Sequence, residues 1–200
     1  MFPMRNYYNG LRMKYARQIN LPIDIGKIRV SNKSLGSYLV SPIWSEPAST
    51  HLYIRKKDKD LLAHSLPEKL KDYLFHIDAN KFTLLAPHIH LNEQTVINIY
   101  LNVGGEITTF YEGLVTVDHT STTDNGAGYN LINVDRMYPV ESFCASAGEM
   151  WMLDTATTHD VSIKNDTRVG LSKYVPVDNN HRLAVQLCFN APYAELSQFI

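Results

Sequence analysis

From residue 81 onward the chain runs in short stretches of alternating or continuous apolar residues, each closed by turn-forming residues. That pattern predicts strands over 81–90, 95–102, 106–111, 128–134, 137–146, 149–153, 159–163, 168–175 and 182–190. Between them stand Gly104-Gly105, Asp124-Asn125-Gly126, Ala147-Gly148, Asn165-Asp166 and Asp178-Asn179-Asn180, residues that accept the tight or left-handed backbone of turns. The first eighty residues have a different texture. A weakly patterned helix is expected over 10–20, and strand pieces over 28–40 are broken by Ser31, Asn32 and Gly36. A loop with Pro42 and Pro47 follows over 41–47. A helix is expected over 58–66. A second is expected over about 66–77, because Leu70, Tyr73, Leu74 and Ile77 recur at helical spacing. Ser65 with Glu68 three residues on is a capping-box signature, and Pro67 suits a first turn. Many short strands with helices segregated ahead of them imply a mainly β sandwich or jelly roll, with N-terminal helices packed on one face.

Two hundred residues suffice for one domain over 1–200 with a full core. Within it, 1–80 reads as a helical and extended buttress and 81–190 as the β core. Nineteen basic residues nearly balance twenty acidic ones, so net charge gives no pull toward nucleic acid or anionic membrane. Arg55, Lys56, Lys57 and Lys59 alternate with Asp58 and Asp60, which suits a solvated helix start. Cys144 and Cys188 form no CxxC pair, and both sit in apolar strand-like contexts, so buried free thiols are expected. No secretory leader and no membrane-length apolar segment are read from the chain. The expectation is a soluble, cytoplasmic protein.

The candidate chemistry begins at His88 and His90. Residues i and i+2 of a strand share a face, so both imidazoles can reach one metal ion. His159, far downstream after the apolar run 149–154, supplies a third. A close pair with a distant third ligand leaves open coordination positions for chemistry. A hairpin over 148–172 would bring Arg168 to the same end of a barrel as His159. There its planar fork would suit a carboxylate. Asp154 is either a hydrogen-bond acceptor for a ligating ring or a turn former. His51, His64, His76, His119 and His181 show no paired spacing and read as surface or satisfied core residues. No GxSxG, Walker or dinucleotide glycine motif occurs, which excludes those hydrolase and nucleotide-binding readings.

Taken together, Gly148-Glu149, Trp151, Leu153-Asp154, His159, Val161, Asn165 and Arg168 resemble the distal half of the iron(II)- and 2-oxoglutarate-dependent oxygenases, in their aspartyl/asparaginyl-hydroxylase-like or phage-encoded branches. Upstream, His88-x-His90 leading into Val96-Ile97-Asn98-Ile99-Tyr100-Leu101 resembles the family's H-x-D segment, and Thr108–Tyr111 its next pocket strand. The likeness covers roughly residues 82–190. It implies a double-stranded β-helix of cupin-like form. It implies iron(II) on His88 and His159, and 2-oxoglutarate held by Arg168. Asn98 or Tyr100 would line the co-substrate pocket, and Trp151 would pack beneath it.

Two positions depart from the family pattern. His90 stands where the family has aspartate. It is therefore a third ligand, or a ring turned away with water in its place, or the mark of a protein without oxygenase chemistry. Gly170 stands where many relatives carry a hydroxyl residue, and Ser172 on the same strand face would substitute. The implied function is 2-oxoglutarate-dependent hydroxylation of a small molecule or peptide. The alternatives are a cupin-like metal-binding module, or a three-histidine dioxygenase that does not use 2-oxoglutarate. Loops over 41–50 and 112–130 are expected to select the substrate.

Overall fold

The computed structural model describes residues 13–38, 49–82, 85–122, 128–163 and 182–200. Among these residues thirteen strands occur: β1 (Ala16–Ile19), β2 (Val30–Tyr38), β3 (Ser49–Ile54), β4 (Leu74–Phe82), β5 (Leu85–His90), β6 (Thr95–Asn102), β7 (Glu106–Gly113), β8 (Thr116–Thr122), β9 (Gly128–Asn133), β10 (Met137–Cys144), β11 (Met150–Asp154), β12 (His159–Ile163) and β13 (Arg182–Phe189). Helices α1 (Lys56–His64) and α2 (Glu68–Lys71) stand between β3 and β4, and α3 (Tyr193–Leu196) follows β13. The strands form two sheets, one in the order β1-β11-β6-β13-β4-β3-β2 and one in the order β10-β7-β12-β5-β9-β8. The pairings are antiparallel, and the architecture is the mainly β jelly roll expected.

The seven-stranded sheet is covered on both faces, which is why its central strands read as nearly unbroken apolar runs. On the outer face Ile77, Ala79, Ile97, Ile99, Met150, Met152, Val185 and Leu187 pack with Leu62, Leu66 and Leu70 of the helical segment and with Tyr193 and Leu196 of α3. On the inner face Tyr100, Trp151, Leu153 and Ala184 pack with Phe110 and Phe143 of the six-stranded sheet. Trp151 stacks on Phe143 at 4.0 Å and donates its indole N–H to Glu149, which makes it a core anchor. Tyr15 stacks against Phe110, so this tyrosine packs on the six-stranded sheet. Strand β4 shows how one strand serves two layers. Ile77 and Ala79 face the outer core, while the alternate residues His76, Asp78 and Asn80 line a cavity between the sheets.

Several expectations need correction. The helix expected over 10–20 is replaced, among the described residues, by strand β1, which pairs with β11. The helix expected over 66–77 stops at Lys71, and Leu74 opens β4. The spacing of Leu70, Tyr73, Leu74 and Ile77 satisfied a helix, but the alternation from His76 to Asn80 belongs to a strand with two different faces. The capping box does not form: Ser65 donates its hydroxyl to the Leu61 carbonyl, and Pro67 is the N-cap. Helix α1 does begin at the mixed-charge segment, where Arg55 clamps Asp58 through two hydrogen bonds of 2.6 and 3.1 Å. Residues 116–122, read as part of a loop, form β8, with His119 exposed on it. Cys144 is exposed, whereas Cys188 is buried, and both are free thiols. No helix long and apolar enough to cross a membrane occurs among the described residues.

Candidate metal centre

Strand β5 carries His88 and His90, and its register with β9 is regular across both: His88 opposes Leu131, Ile89 opposes Asn130, and His90 opposes Tyr129. With no bulge between them, both imidazoles stay on one face. Strand β12 lies on the other side of β5 and places His159 directly opposite His88. The ring centroids are 4.3 Å apart for His88 and His159, 5.2 Å for His88 and His90, and 5.5 Å for His90 and His159. Their ligand atoms lie within 4.8 Å of one another, so the three form a group that could hold a metal ion. The loops that deliver them are tied together. The His90 amide donates to the Thr155 carbonyl at 3.0 Å, and the Thr155 hydroxyl donates to the Glu93 carbonyl at 2.5 Å.

The hydrogen bonds of the three rings occupy Nδ1 in each and leave Nε2 for a ligand. His88 Nδ1 lies 2.7 Å from the Ala86 carbonyl, and His159 Nδ1 lies 2.9 Å from the Thr157 carbonyl. A carbonyl oxygen only accepts, so in both rings Nδ1 carries the proton and Nε2 keeps its lone pair. His90 Nδ1 lies 2.5 Å from Glu93 Oε2. Burial favours the neutral form of Glu93, but hydrogen bonds from His76 and His90 outweigh it and hold the carboxyl well below the usual carboxylate range. Glu93 is therefore an anionic acceptor that takes a hydrogen bond from His90 Nδ1. Nε2 is thus the nitrogen left free to ligate in each ring, and each Nδ1 is backed by a fixed acceptor, as in metal-ligating imidazoles generally. Burial, with a smaller contribution from His90, pushes His88 down to about 3. Burial, then the neighbouring His88 and His90, holds His159 well below its ordinary value. Both rings are neutral near pH 7, as ligation requires. Asp154 is a turn former: it accepts from the Ala156 amide and the Thr157 hydroxyl, and so fixes the carbonyl that holds His159.

The triad opens into a cavity of about 100 Å³ between the sheets, lined also by Leu85, Val96, Asn98, Thr108, Leu153, Val161, Arg182 and Gln186. Arg182 is 4% exposed, and it donates to the Tyr100 hydroxyl at 2.6 Å and to Thr108 Oγ1 at 3.2 Å. Gln186 donates to Asn98, and Asn98 donates to Tyr100, so Gln186, Asn98, Tyr100 and Arg182 form one polar chain. Asn98 and Tyr100, both singled out from the sequence, belong to this chain. Arg168 and Ser172 lie outside the described residues. Sequence reasoning missed Arg182, although the alternation Arg182, Ala184, Gln186, Cys188 against Leu183, Val185, Leu187, Phe189 marks an inward face that begins with a charge. It also set aside His51 and His76, which line the same cavity with Asp78 and Glu93. Burial alone would lower His76, but the hydrogen bond and charge of Glu93 outweigh it and raise the ring above its ordinary value.

No protein-family model matches the chain, and no curated protein matches it. Among solved structures it is similar to the X-ray structure of E. coli ycfD, at 12% sequence identity and a TM-score of 0.43. The alignment covers 90% of this chain and 50% of that one, so the chain spans about half the length of that neighbour. A likeness at this level does not bear on activity. The centre is therefore described by its own residues: three histidines on a jelly roll, His88 and His159 buried and His90 half-buried, in a group that could hold a metal ion.

Proposed function

We propose that the protein is a mononuclear non-haem iron oxygenase that uses 2-oxoglutarate to hydroxylate a small-molecule or peptide substrate. The reading rests on one observation. Three imidazoles with their Nε2 atoms presented share a cavity with a buried arginine whose orientation is fixed. The donor set suits a divalent transition ion, because imidazole is a borderline ligand and each ring's other nitrogen is held. In this reading His88, His90 and His159 hold iron(II), which when bound supplies activation of dioxygen at the positions the protein leaves open. Arg182 takes the distal carboxylate of 2-oxoglutarate, a group that its planar two-pronged donor matches. Tyr100 and Thr108 hold the guanidinium in place, and Asn98 and Gln186 offer amide groups beside it. Leu85, Val96, Leu153 and Val161 give the cavity an apolar wall.

His90 supports a second reading, a three-histidine dioxygenase that does not use 2-oxoglutarate, because a neutral ring replaces the expected carboxylate and leaves the centre one unit more positive. Arg182 separates the two, since only the first needs a carboxylate clamp. The test is calorimetric titration of Mn(II)-loaded protein with 2-oxoglutarate, followed by assay of succinate with iron(II) in air. Wild-type protein should bind and turn over 2-oxoglutarate. Arg182→Lys keeps the charge and loses the fork, so its affinity should fall at least tenfold, or about 1.4 kcal/mol. No binding by wild type, or equal affinity in the variant, would remove the clamp and leave the three-histidine reading.

A further inference from the structure

Behind His90 the inner face of the seven-stranded sheet brings a second set of ligand atoms together. His76 on β4 and Cys188 on β13 are cross-strand partners, and alternation puts both on the face that lines the cavity. Glu93 reaches the same place from the turn before β6. Its Oε1 lies 2.9 Å from His76 Nε2, while its Oε2 holds His90. The ligand atoms of His76, Glu93 and Cys188 all lie within 4.8 Å of one another. We propose that His76, Glu93 and Cys188 form a second metal site, selective for a zinc-class divalent ion and joined to the three-histidine centre through the two oxygens of Glu93.

Two observations support a cation here. The first is the donor set: one imidazole, one carboxylate and one thiol are the ligand types that bind zinc-class ions at protein sites. The second is Asp78, next but one to His76 on the same strand face. Its Oδ2 is sealed from solvent and makes no hydrogen bond among the described residues, lying 3.3 Å from His76 Nε2 and 3.7 Å from His51 Nδ1, while Lys59 Nζ stands 3.7 Å from its Oδ1. A buried carboxylate oxygen without a hydrogen bond is costly, and a positive ion beside it offsets that cost. The competing occupant is the proton on His76 Nε2, donated to Glu93 Oε1. An ion displaces that proton and the thiol proton of Cys188, so both are released to solvent on binding. Glu93 is shared between the two groups, but none of the three Nε2 atoms is a ligand here, so the sulfur-linked ion is read separately from the oxygenase reading.

Co(II) distinguishes the sites, because thiolate bound to Co(II) gives a charge-transfer band in the near ultraviolet that imidazole does not. The full chain, stripped with a chelator and kept anaerobic, is titrated with Co(II) alone. Two ions per chain are expected, and the thiolate band should grow with one of them. Cys188→Ser, nearly isosteric, should bind one ion without the band. His76→Ala should weaken the sulfur-linked ion at least tenfold. His88→Ala should leave the band in place. A single ion without the band in wild type would overturn the site and leave His76 as the hydrogen-bond partner of Glu93 alone. A second ion without the band, or a band that survives in Cys188→Ser, would overturn ligation by Cys188.

Discussion

Glu93 is the residue on which most of the centre turns. It is almost fully buried, and it binds His90 through one oxygen and His76 through the other. An anionic acceptor on Nδ1 fixes the ring and raises the donor strength of Nε2. Glu93→Gln keeps an acceptor of nearly the same shape but removes the charge. Affinity for iron(II) at the three-histidine centre should therefore fall by roughly 10–100-fold while the fold persists. Unchanged affinity in calorimetry, with unchanged circular dichroism, would contradict the role given to Glu93. The depressed histidines make a pH prediction. His88 stays neutral in the folded chain to about 3, whereas an unfolded histidine takes up its proton near pH 6.5. The unfolded state therefore binds more protons between those values, so the stabilisation is complete above about pH 6.5 and is lost as pH falls toward 3. The urea midpoint of metal-free protein should fall between pH 7 and pH 5, and a flat midpoint would contradict it. His88 and His90 were legible in the sequence because an i, i+2 pair is a local signal, and His159 through the family resemblance of the segment around it. His76, Glu93, Cys188 and Arg182 were not, because they lie on or beside different strands that meet only through sheet registry.

At the scale of elements, helix α1 is held by burial rather than by propensity or capping. Its N-cap residue, Arg55, makes no side-chain cap hydrogen bond, and its apolar contribution is concentrated at Leu62, which is fully buried against the outer face of the sheet. Leu62→Ala should destabilise the protein by about 2–5 kcal/mol through lost transfer energy and the cavity left behind. The denaturant midpoint measures this, and a loss below about 1 kcal/mol would mean that α1 is not part of the cooperative core. The elements show where pattern reading succeeds. Strands β6, β11 and β13 were legible because their apolar runs are short and closed by turns. Strand β4 was misread because Leu74 and Ile77, which pack on the outer core, also fit a helical spacing with Leu70. The decision lay in His76, Asp78 and Asn80, whose alternation makes sense only when a polar cavity lies on the other side.

Across the whole molecule, the seven-stranded sheet separates two environments. Its outer face is dry and apolar under α1, α2 and α3, while its inner face carries a polar ladder that meets the histidines of the six-stranded sheet. The jelly roll was legible because it follows from strand count and turn spacing. The cavity was not, because it arises only when the two inner faces come together. The central claim is that this junction binds one metal ion through three Nε2 atoms. The most direct measurement is a crystal structure of the anaerobic iron(II)-loaded protein, with the ion located by anomalous scattering at the iron edge. The ion should lie about 2.0–2.2 Å from Nε2 of His88, His90 and His159, a distance usual for metal–imidazole bonds, with Glu93 still on His90 Nδ1. An iron-edge peak elsewhere, ligation through Nδ1, or a His90 ring turned away with water in its place would contradict the account.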